Sequence, residues 1–366
     1  MTNPVAMATM NPGLRAWLEA AVQKDASDIH LVAGYPCVLR VHGKLIPISD
    51  EPLTESSIVA ALESIATDEM IQRLAQIKNI DFAFSTTVHD QPFRLRVNLF
   101  LGGGAIGGCI RLIPDQIPDF RWSSFPEDLA KKIASFRNGL VLFTGVTGSG
   151  KSTSLAMIIN MMNRLGGYRI LTIEDPIEYR FPIRENSVVT QRELGADVDS
   201  FADGLKFGLR QDPDVILVGE IRDSETAKMA LSAAETGHLV LSTLHTRDAK
   251  GAISRYADMF PQQVQNEIRS QLASSLRAVI CQRLLDSSLP NEKQELALEI
   301  LFNHSAIASA IRTGKLESID NYILTGRSEG MLTMDESIKR LVSKGSIRME
   351  TAESHVSDKA FLNRSL

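Results

Sequence analysis

Long hydrophobic runs are missing from this 366-residue chain. No stretch approaches the ~20 apolar residues that a bilayer-spanning helix requires, so any membrane association is expected through a surface or a partner. Cysteine is scarce as well: Cys37, Cys109 and Cys281 are far apart and odd in number, which argues against a disulfide framework or a four-thiolate metal site. Reduced, buried thiols of a cytoplasmic protein are the expectation. There is no excess of positive charge. The formal net charge is −5, so no global basic field points to nucleic acid or to an anionic membrane. The first ten residues also lack the basic start and apolar core of a secretory signal.

What is present is an ordinary globular composition, 44% hydrophobic and 23% charged, in a chain long enough for two domains. Its centre is Leu140-Val141-Leu142-Phe143-Thr144 followed by Gly145-Val146-Thr147-Gly148-Ser149-Gly150-Lys151-Ser152-Thr153. The apolar run reads as a buried strand, the next segment fits G-x-x-x-x-G-K-[ST], and Ser154 to Asn160 reads as a helix. In that context Gly145, Gly148 and Gly150 let the backbone curl so that amides from Thr147 to Thr153 point at phosphate oxygens. The helix N-terminus adds its positive dipole end. Lys151 is placed to reach the β/γ-phosphates and the Ser152 hydroxyl to join the shell of Mg²⁺. Nucleotide binding with Mg²⁺ is the expectation; read alone, such a loop serves a kinase, a GTPase or a helicase equally.

Upstream, Leu14, Trp17, Leu18, Ala21 and Val22 have helical spacing, and Val38 to Ile48 alternates about His42-Gly43-Lys44 as a hairpin. One helix is predicted from about Glu55 to Ile77. Asp81 to Phe84 and Phe93 to Phe100 read as strands, the second with Arg94, Arg96 and Asn98 on one face. Two arginines on one side of a strand are equally consistent with a solvated face and with phosphate contact. Gly102 to Gly107 formally matches G-x-G-x-x-G, but a strand, Gly108 to Ile113, follows it where the dinucleotide fingerprint needs a helix. A hairpin connection is the better reading. Pro114 and Pro118 then mark a linker.

Downstream, Tyr168 to Ile173 is a second buried strand ending in Glu174-Asp175-Pro176-Ile177-Glu178. Carboxylates at the C-terminal edge of such a strand sit where open α/β sheets bind ligands, so Glu174, Asp175 and Glu178 are candidates to hold Mg²⁺ through water or to activate water. Val215 to Val218 is a third buried strand, capped by Glu220 in the manner of a Walker B element. Gly237 to His245 is a short strand with His238 and His245 towards its ends. A joint metal site is a poor reading, because seven residues of strand separate the rings by roughly 20 Å; structural histidines or γ-phosphate sensors are the alternatives. Ile268, Leu272, Leu276, Val279 and Ile280 follow helical spacing, Glu295 to Phe302 reads as a strand, and the apolar tail residues from Ile307 to Leu341 are assigned to packing and inter-subunit surface.

Taken together these segments resemble bacterial secretion ATPases of the type IV pilus retraction group, the PilT/PilU-like family, over nearly the whole chain. Ala26-Ser27-Asp28-Ile29-His30-Leu31 is similar to that family's ASDLHL stretch and Arg94 to Asn98 to its RFRVN strand. Gly145 to Thr153 matches its Walker A loop, Thr172 to Glu178 its Asp box, Leu209 to Asp223 its atypical Walker B segment and Ala234 to Thr246 its His box. The resemblance implies an α/β fold: a PAS-like N-terminal α+β domain over residues 1–114, a linker over 115–122, and a RecA-like P-loop ATPase domain with a helical C-terminal region over 123–366. It implies a homohexameric ring with nucleotide between these domains, acting at the cytoplasmic face of the inner membrane on a pilus platform protein, with no nucleic acid. Glu178 is then the residue to activate water, Glu220 lies near Mg²⁺, His238 and His245 near the γ-phosphate, and Arg96 and Arg111 reach phosphate from the N-terminal domain. Three features depart from the pattern, the smallest being Gly145-Val146-Thr147 in place of the commoner GPT start of the phosphate loop. Gly104 stands where retraction motors typically carry an arginine, and Ala306 to Thr313 replaces an AIRNLIRE helix, with Ala308 and Thr313 in place of its first Arg and final Glu. A principal retraction motor is the leading expectation; an accessory paralogue working with a principal motor, and a pilus-extension or type II secretion ATPase, are the alternatives.

Overall fold

The computed structural model describes residues 9–41, 43–114, 116–289 and 293–363. His42 at the expected hairpin tip, Asp115 of the expected linker and the first eight residues lie outside that set. The chain divides into two compact units, one of Met1–Gln116 with Pro176–Arg180, the other of Ile117–Asp175 with Phe181–Leu366.

The first unit is an antiparallel sheet backed by helices. Its strands are β1 (Ala26–Leu31), β2 (Val38–Val41), β3 (Lys44–Pro47), β4 (Asn79–Val88), β5 (Gln91–Gly102) and β6 (Ala105–Pro114), in spatial order β3-β2-β1-β6-β5-β4. Strict alternation decides its two faces: Ile29, Leu31, Leu39, Leu95, Val97, Leu99 and Ile110 are buried in a single core with Leu14 and Leu18 of the helix Pro12–Gln23. That helix starts where Asn11 accepts hydrogen bonds from the Gly13 and Leu14 amides, with Pro12 in its first turn. The expected single helix over 55–77 is two, Glu55–Glu63 and Asp68–Ile77. Thr67 ends any continuation because its hydroxyl accepts from the Met70 amide at 3.3 Å and starts a fresh helix. The glycine run after β5 is the expected hairpin. Gly102 pairs with Ala105, and the two turn residues Gly103 and Gly104 have φ of +61° and +88°, the left-handed pair that a two-residue hairpin needs.

The second unit holds β7 (Gly139–Thr144), β8 (Arg169–Glu174), β9 (Val188–Glu193), β10 (Val215–Val218), β11 (Leu239–Leu244), β12 (Leu276–Leu285) and β13 (Glu295–Phe302), in order β13-β12-β7-β11-β10-β8-β9. All neighbours are parallel except β12 with β13. Every residue of β7, β10 and β11 is buried, as expected of parallel strands covered by helices on both faces. One expectation needs correction. The helical pattern from Ile268 stops at Ser275, the end of the helix Gln265–Ser275, and Leu276, Val279 and Ile280 belong to β12. A strand buried on both faces reads as a continuous apolar run, which periodicity alone does not tell from a buried helix. The polar edge strand β9 carries no apolar alternation and was not anticipated. Tail residues Ile307, Ile311, Ile323, Met331, Met334 and Ile338 are buried in the core of this unit. Among the described residues no helix is long and apolar enough to cross a membrane.

One carboxylate lies half-buried against this core. Glu299 on β13 accepts from the Ala249 amide at 2.8 Å, at the start of the helix Ala249–Asp258, and lies 3.6 Å from Cys281 Sγ. Burial raises its pKa above the usual carboxylate value, and the nearby Asp248 charge adds to this, against the lowering effect of the amide bond. In the unfolded chain the group ionises in the ordinary range, so between the two pKa values the folded state binds a proton that the unfolded state has released. Stability is therefore lost as pH rises through that window. Glu299→Gln is expected to raise the melting temperature more at pH 8 than at pH 5; an equal shift at both values would refute the assignment.

Candidate active site

The parallel register brings the functional segments of the second unit to one edge of its sheet. Thr144 pairs with Leu244, Ile173 with Val218 and Val218 with Ser242, so the loops that follow β7, β8, β10 and β11 all leave from the same side. This is the side on which open α/β sheets take their ligands.

The phosphate loop runs from Gly145 to Gly150 and feeds the helix Lys151–Leu165, whose N-cap is Gly150 in the left-handed region. No side chain caps that end, and a helix N-terminus carries the positive end of the helix dipole. Lys151 is 8% exposed, and its Nζ donates to the carbonyls of Gly145 at 2.8 Å and Val146 at 3.1 Å. These carbonyls solvate the buried ammonium. Gly145 is required sterically. A Cβ there would lie 2.4 Å from the Gln282 carbonyl oxygen and 2.6 Å from Ser149 Oγ, at a φ of +144°. Gly145→Ala is expected to destabilise the protein by about 2 kcal/mol and to weaken nucleotide binding, read as a lower urea midpoint and a weaker ADP titration. An unchanged midpoint would show that the loop relaxes freely.

Glu220 follows β10 and is the best-organised carboxylate of this edge. Arg222 Nη2 approaches its Oε1 at 2.5 Å and His245 Nε2 its Oε2 at 3.3 Å, with the Glu220 side chain 13% exposed. The backbone here is pinned, because Thr243 Oγ1 donates to the Gly219 carbonyl and the Ile221 amide to the Thr243 carbonyl. His245 is positioned by its neighbour: the Thr246 amide donates to Thr144 Oγ1 at 2.9 Å, and the two threonine hydroxyls lie 2.6 Å apart. At the end of β8, Glu174 Oε1 accepts from Thr172 Oγ1 at 2.6 Å and Gln191 Nε2 at 3.1 Å, while Asp175 is half-buried beside it in the chain.

His238 does not join this group. Its carbonyl accepts from the Gly139 amide, which places it at the opposite end of β7 and β11, about 20 Å from the loop along a six-residue strand. Its Nδ1 lies 3.0 Å from the Ala233 carbonyl, as in a histidine that closes the end of the helix Ser224–Glu235. Among the described residues no three His, Cys, Asp or Glu side chains converge as a metal site.

In the first unit, register sets Arg96 opposite Arg111 and Arg111 opposite Asp28 on one face of the sheet. Arg111 Nε donates to the buried Asp28 at 2.8 Å, and Arg96 Nε lies 3.9 Å from Asp81. Burial lowers the pKa of Arg111, but the Asp28 hydrogen bond and the charges of Asp28, Cys109 and Glu178 outweigh it, so the guanidinium is held more firmly protonated than usual. Both arginines keep part of their side chains in solvent. Arg94, on the same face, is buried and donates to the Ile177 carbonyl within the Pro176–Arg180 piece that carries Glu178.

Four residues of this chemistry escaped sequence reasoning. For Arg94 the sequence offers a charged strand face and the RFRVN likeness but not its bond to Ile177, and Thr144 and Thr246 are ordinary residues at and just beyond strand ends until the register pairs them. Gln282 lies in β12, beyond the helical spacing that runs from Ile268 to Ile280; it is 1% exposed and donates through Nε2 to Ser154 Oγ at 3.0 Å beneath the phosphate loop. A glutamine inside an apolar run was the signal available.

The sequence profile described as type II/IV secretion system protein matches residues 5–361. The chain belongs to that family. The uncharacterized protein YggR of Escherichia coli K12 is 39% identical over 326 residues, covering 89% of this chain and 97% of that one. The type IV pilus retraction ATPase PilT of Pseudomonas aeruginosa PAO1 is 39% identical over 335 residues, covering 92% and 95%. A crystal structure of the pilus retraction motor PilT with bound ADP superposes with a TM-score of 0.82 at 39% identity, covering 96% of this chain and 99% of that one.

Proposed function

We propose that this family member is an ATP-hydrolysing motor that powers type IV pilus retraction. The likeness to the ADP-bound retraction motor over 96% of the chain carries the reading, because it covers both units as well as the phosphate loop. In this reading the first unit is the PAS-like domain, the second the RecA-like ATPase domain with its helical C-terminal region, and the boundary falls in residues 115–122. Six copies form a ring that grips an inner-membrane platform protein.

The residues present fit Mg²⁺-ATP. Loop glycines with φ of +144°, +80° and +85° at Gly145, Gly148 and Gly150 form a cradle for phosphate, and the nearby donors Ser152, Glu174, Asp175 and Glu220 are hard oxygens suited to Mg²⁺ directly or through water. The ion would neutralise charge on the phosphates. Within the chain, Lys151 and the loop amides through Thr153 bind the phosphates, and Glu220 orients His245 and Arg222. Glu178 is the base for the attacking water, and Arg96 and Arg111 are the phosphate contacts supplied by the first unit. Catalysis is then positioning plus charge stabilisation.

A second reading, an accessory motor acting with a principal retraction ATPase, is favoured by one observation. Gly104 sits at φ +88° at the hairpin tip, a conformation that disfavours the arginine typical of principal motors. Deleting the gene and following single pili tests both readings. Loss of retraction supports the principal motor, and loss only when a second motor is also removed supports the accessory one. Normal retraction in both strains would reject either.

A further inference from the structure

Two buried polar atoms beneath the phosphate loop have no hydrogen-bond partner: Ser149 Oγ and Gln282 Oε1. Ser149 is 2% exposed and Gln282 1%, so water does not compensate them, and a buried unpaired group carries a desolvation penalty. Both flank Gly145. The missing Cβ of Gly145 would lie 2.6 Å from Ser149 Oγ and 2.4 Å from the Gln282 carbonyl oxygen. The carboxamide of Gln282 is oriented from one side only, by Nε2 donating to Ser154 Oγ on the first turn of the helix after the loop. Its strand is paired with β7, with Cys281 opposite Thr144, which sets Gln282 beside the start of the phosphate loop. Ser149, in contrast, belongs to the turn that holds the lysine: its amide donates to the Val146 carbonyl at 3.2 Å, and that carbonyl also accepts from Lys151 Nζ.

We propose that Gln282 is a positioning residue for the phosphate loop. When Lys151 leaves the Gly145 and Val146 carbonyls for a phosphate, the turn is released and the Ser149 hydroxyl donates to Gln282 Oε1. Both orphaned atoms are then satisfied, and the bond favours the loop conformation that engages phosphate. The inference rests on the nucleotide-binding reading above and adds a partner for the loop outside its own motif.

The test is calorimetric titration of Mg²⁺-ADP into the full chain, its Ser149→Ala and Gln282→Leu variants and the double variant, with melting curves recorded without nucleotide. Each single variant is expected to bind ADP about 10-fold more weakly. The double variant is expected to be no weaker than the singles, because the two changes remove one shared bond. The nucleotide-free melting temperature should be unchanged or raised for Ser149→Ala, which deletes only an unpaired buried atom, whereas Gln282→Leu also removes the bond to Ser154 Oγ and is expected to lower it by a few degrees, so the affinity change is the deciding readout. A merely structural role would lower melting and leave affinity alone. Gln282→Met, which keeps side-chain length, replaces Gln282→Leu if the latter does not fold. Additive losses, or unchanged affinities, overturn the proposal while leaving nucleotide binding intact. Failure of the unmodified chain to bind ADP overturns both.

Discussion

Lys151→Ala is expected to reduce ATP turnover by about a thousandfold, equivalent to about 4 kcal/mol of transition-state stabilisation. The reasoning begins with burial. Lys151 is only 8% exposed, and its Nζ donates to the carbonyls of Gly145 and Val146, which offset part of the cost of burying an ammonium there. The fold therefore bears the cost of holding a cation at the mouth of the helix Lys151–Leu165, and a phosphoryl group is the ligand that returns this cost. Alanine removes the cation and leaves the loop carbonyls to water or to each other, so the melting temperature should move by only a few degrees while activity collapses. Phosphate release under saturating Mg²⁺-ATP is the measurement. Turnover within a factor of two of the unmodified chain would remove the hydrolytic mechanism.

Glu178→Gln has the next largest expected effect, a loss of about 10²–10³ in kcat with nucleotide affinity held within about twofold. The substitution keeps the size and hydrogen-bonding outline of the side chain but removes its basicity. Ile177, its neighbour, is buried and accepts from Arg94, so the backbone that presents residue 178 should not shift. Glu220→Gln is the contrasting variant. Because Glu220 is paired with both Arg222 and His245, its loss should alter the Mg²⁺ dependence as well as kcat. Steady-state kinetics over a Mg²⁺ series separates the two patterns. If Glu178→Gln hydrolyses normally, water activation belongs to Glu174, Asp175 or Glu220 instead.

The phosphate loop, the carboxylates after β8 and β10 and the hairpin at Gly103-Gly104 were all legible in the sequence, because each depends on local chemistry: positive-φ glycines, apolar runs ending in an acid, a strand where a helix would be needed. So was the alternation that sets Arg94 and Arg96 on one face. Where packing decides, the sequence was silent. Leu276 to Leu285 has apolar spacing compatible with a helix, and only its place beside β7 makes it a strand, since burial on both faces erases the period that distinguishes the two. His238 and His245 look equivalent along the chain. The parallel register separates them, putting His245 against Glu220 and His238 at the far end of the sheet. Gln282 is the sharpest case. In sequence it is one polar residue in an apolar run, and in the fold it stands under Gly145 with an unpaired oxygen. Local residue chemistry determined that this protein has a phosphate-binding loop; strand order, which joins residues more than a hundred positions apart, decided what surrounds it.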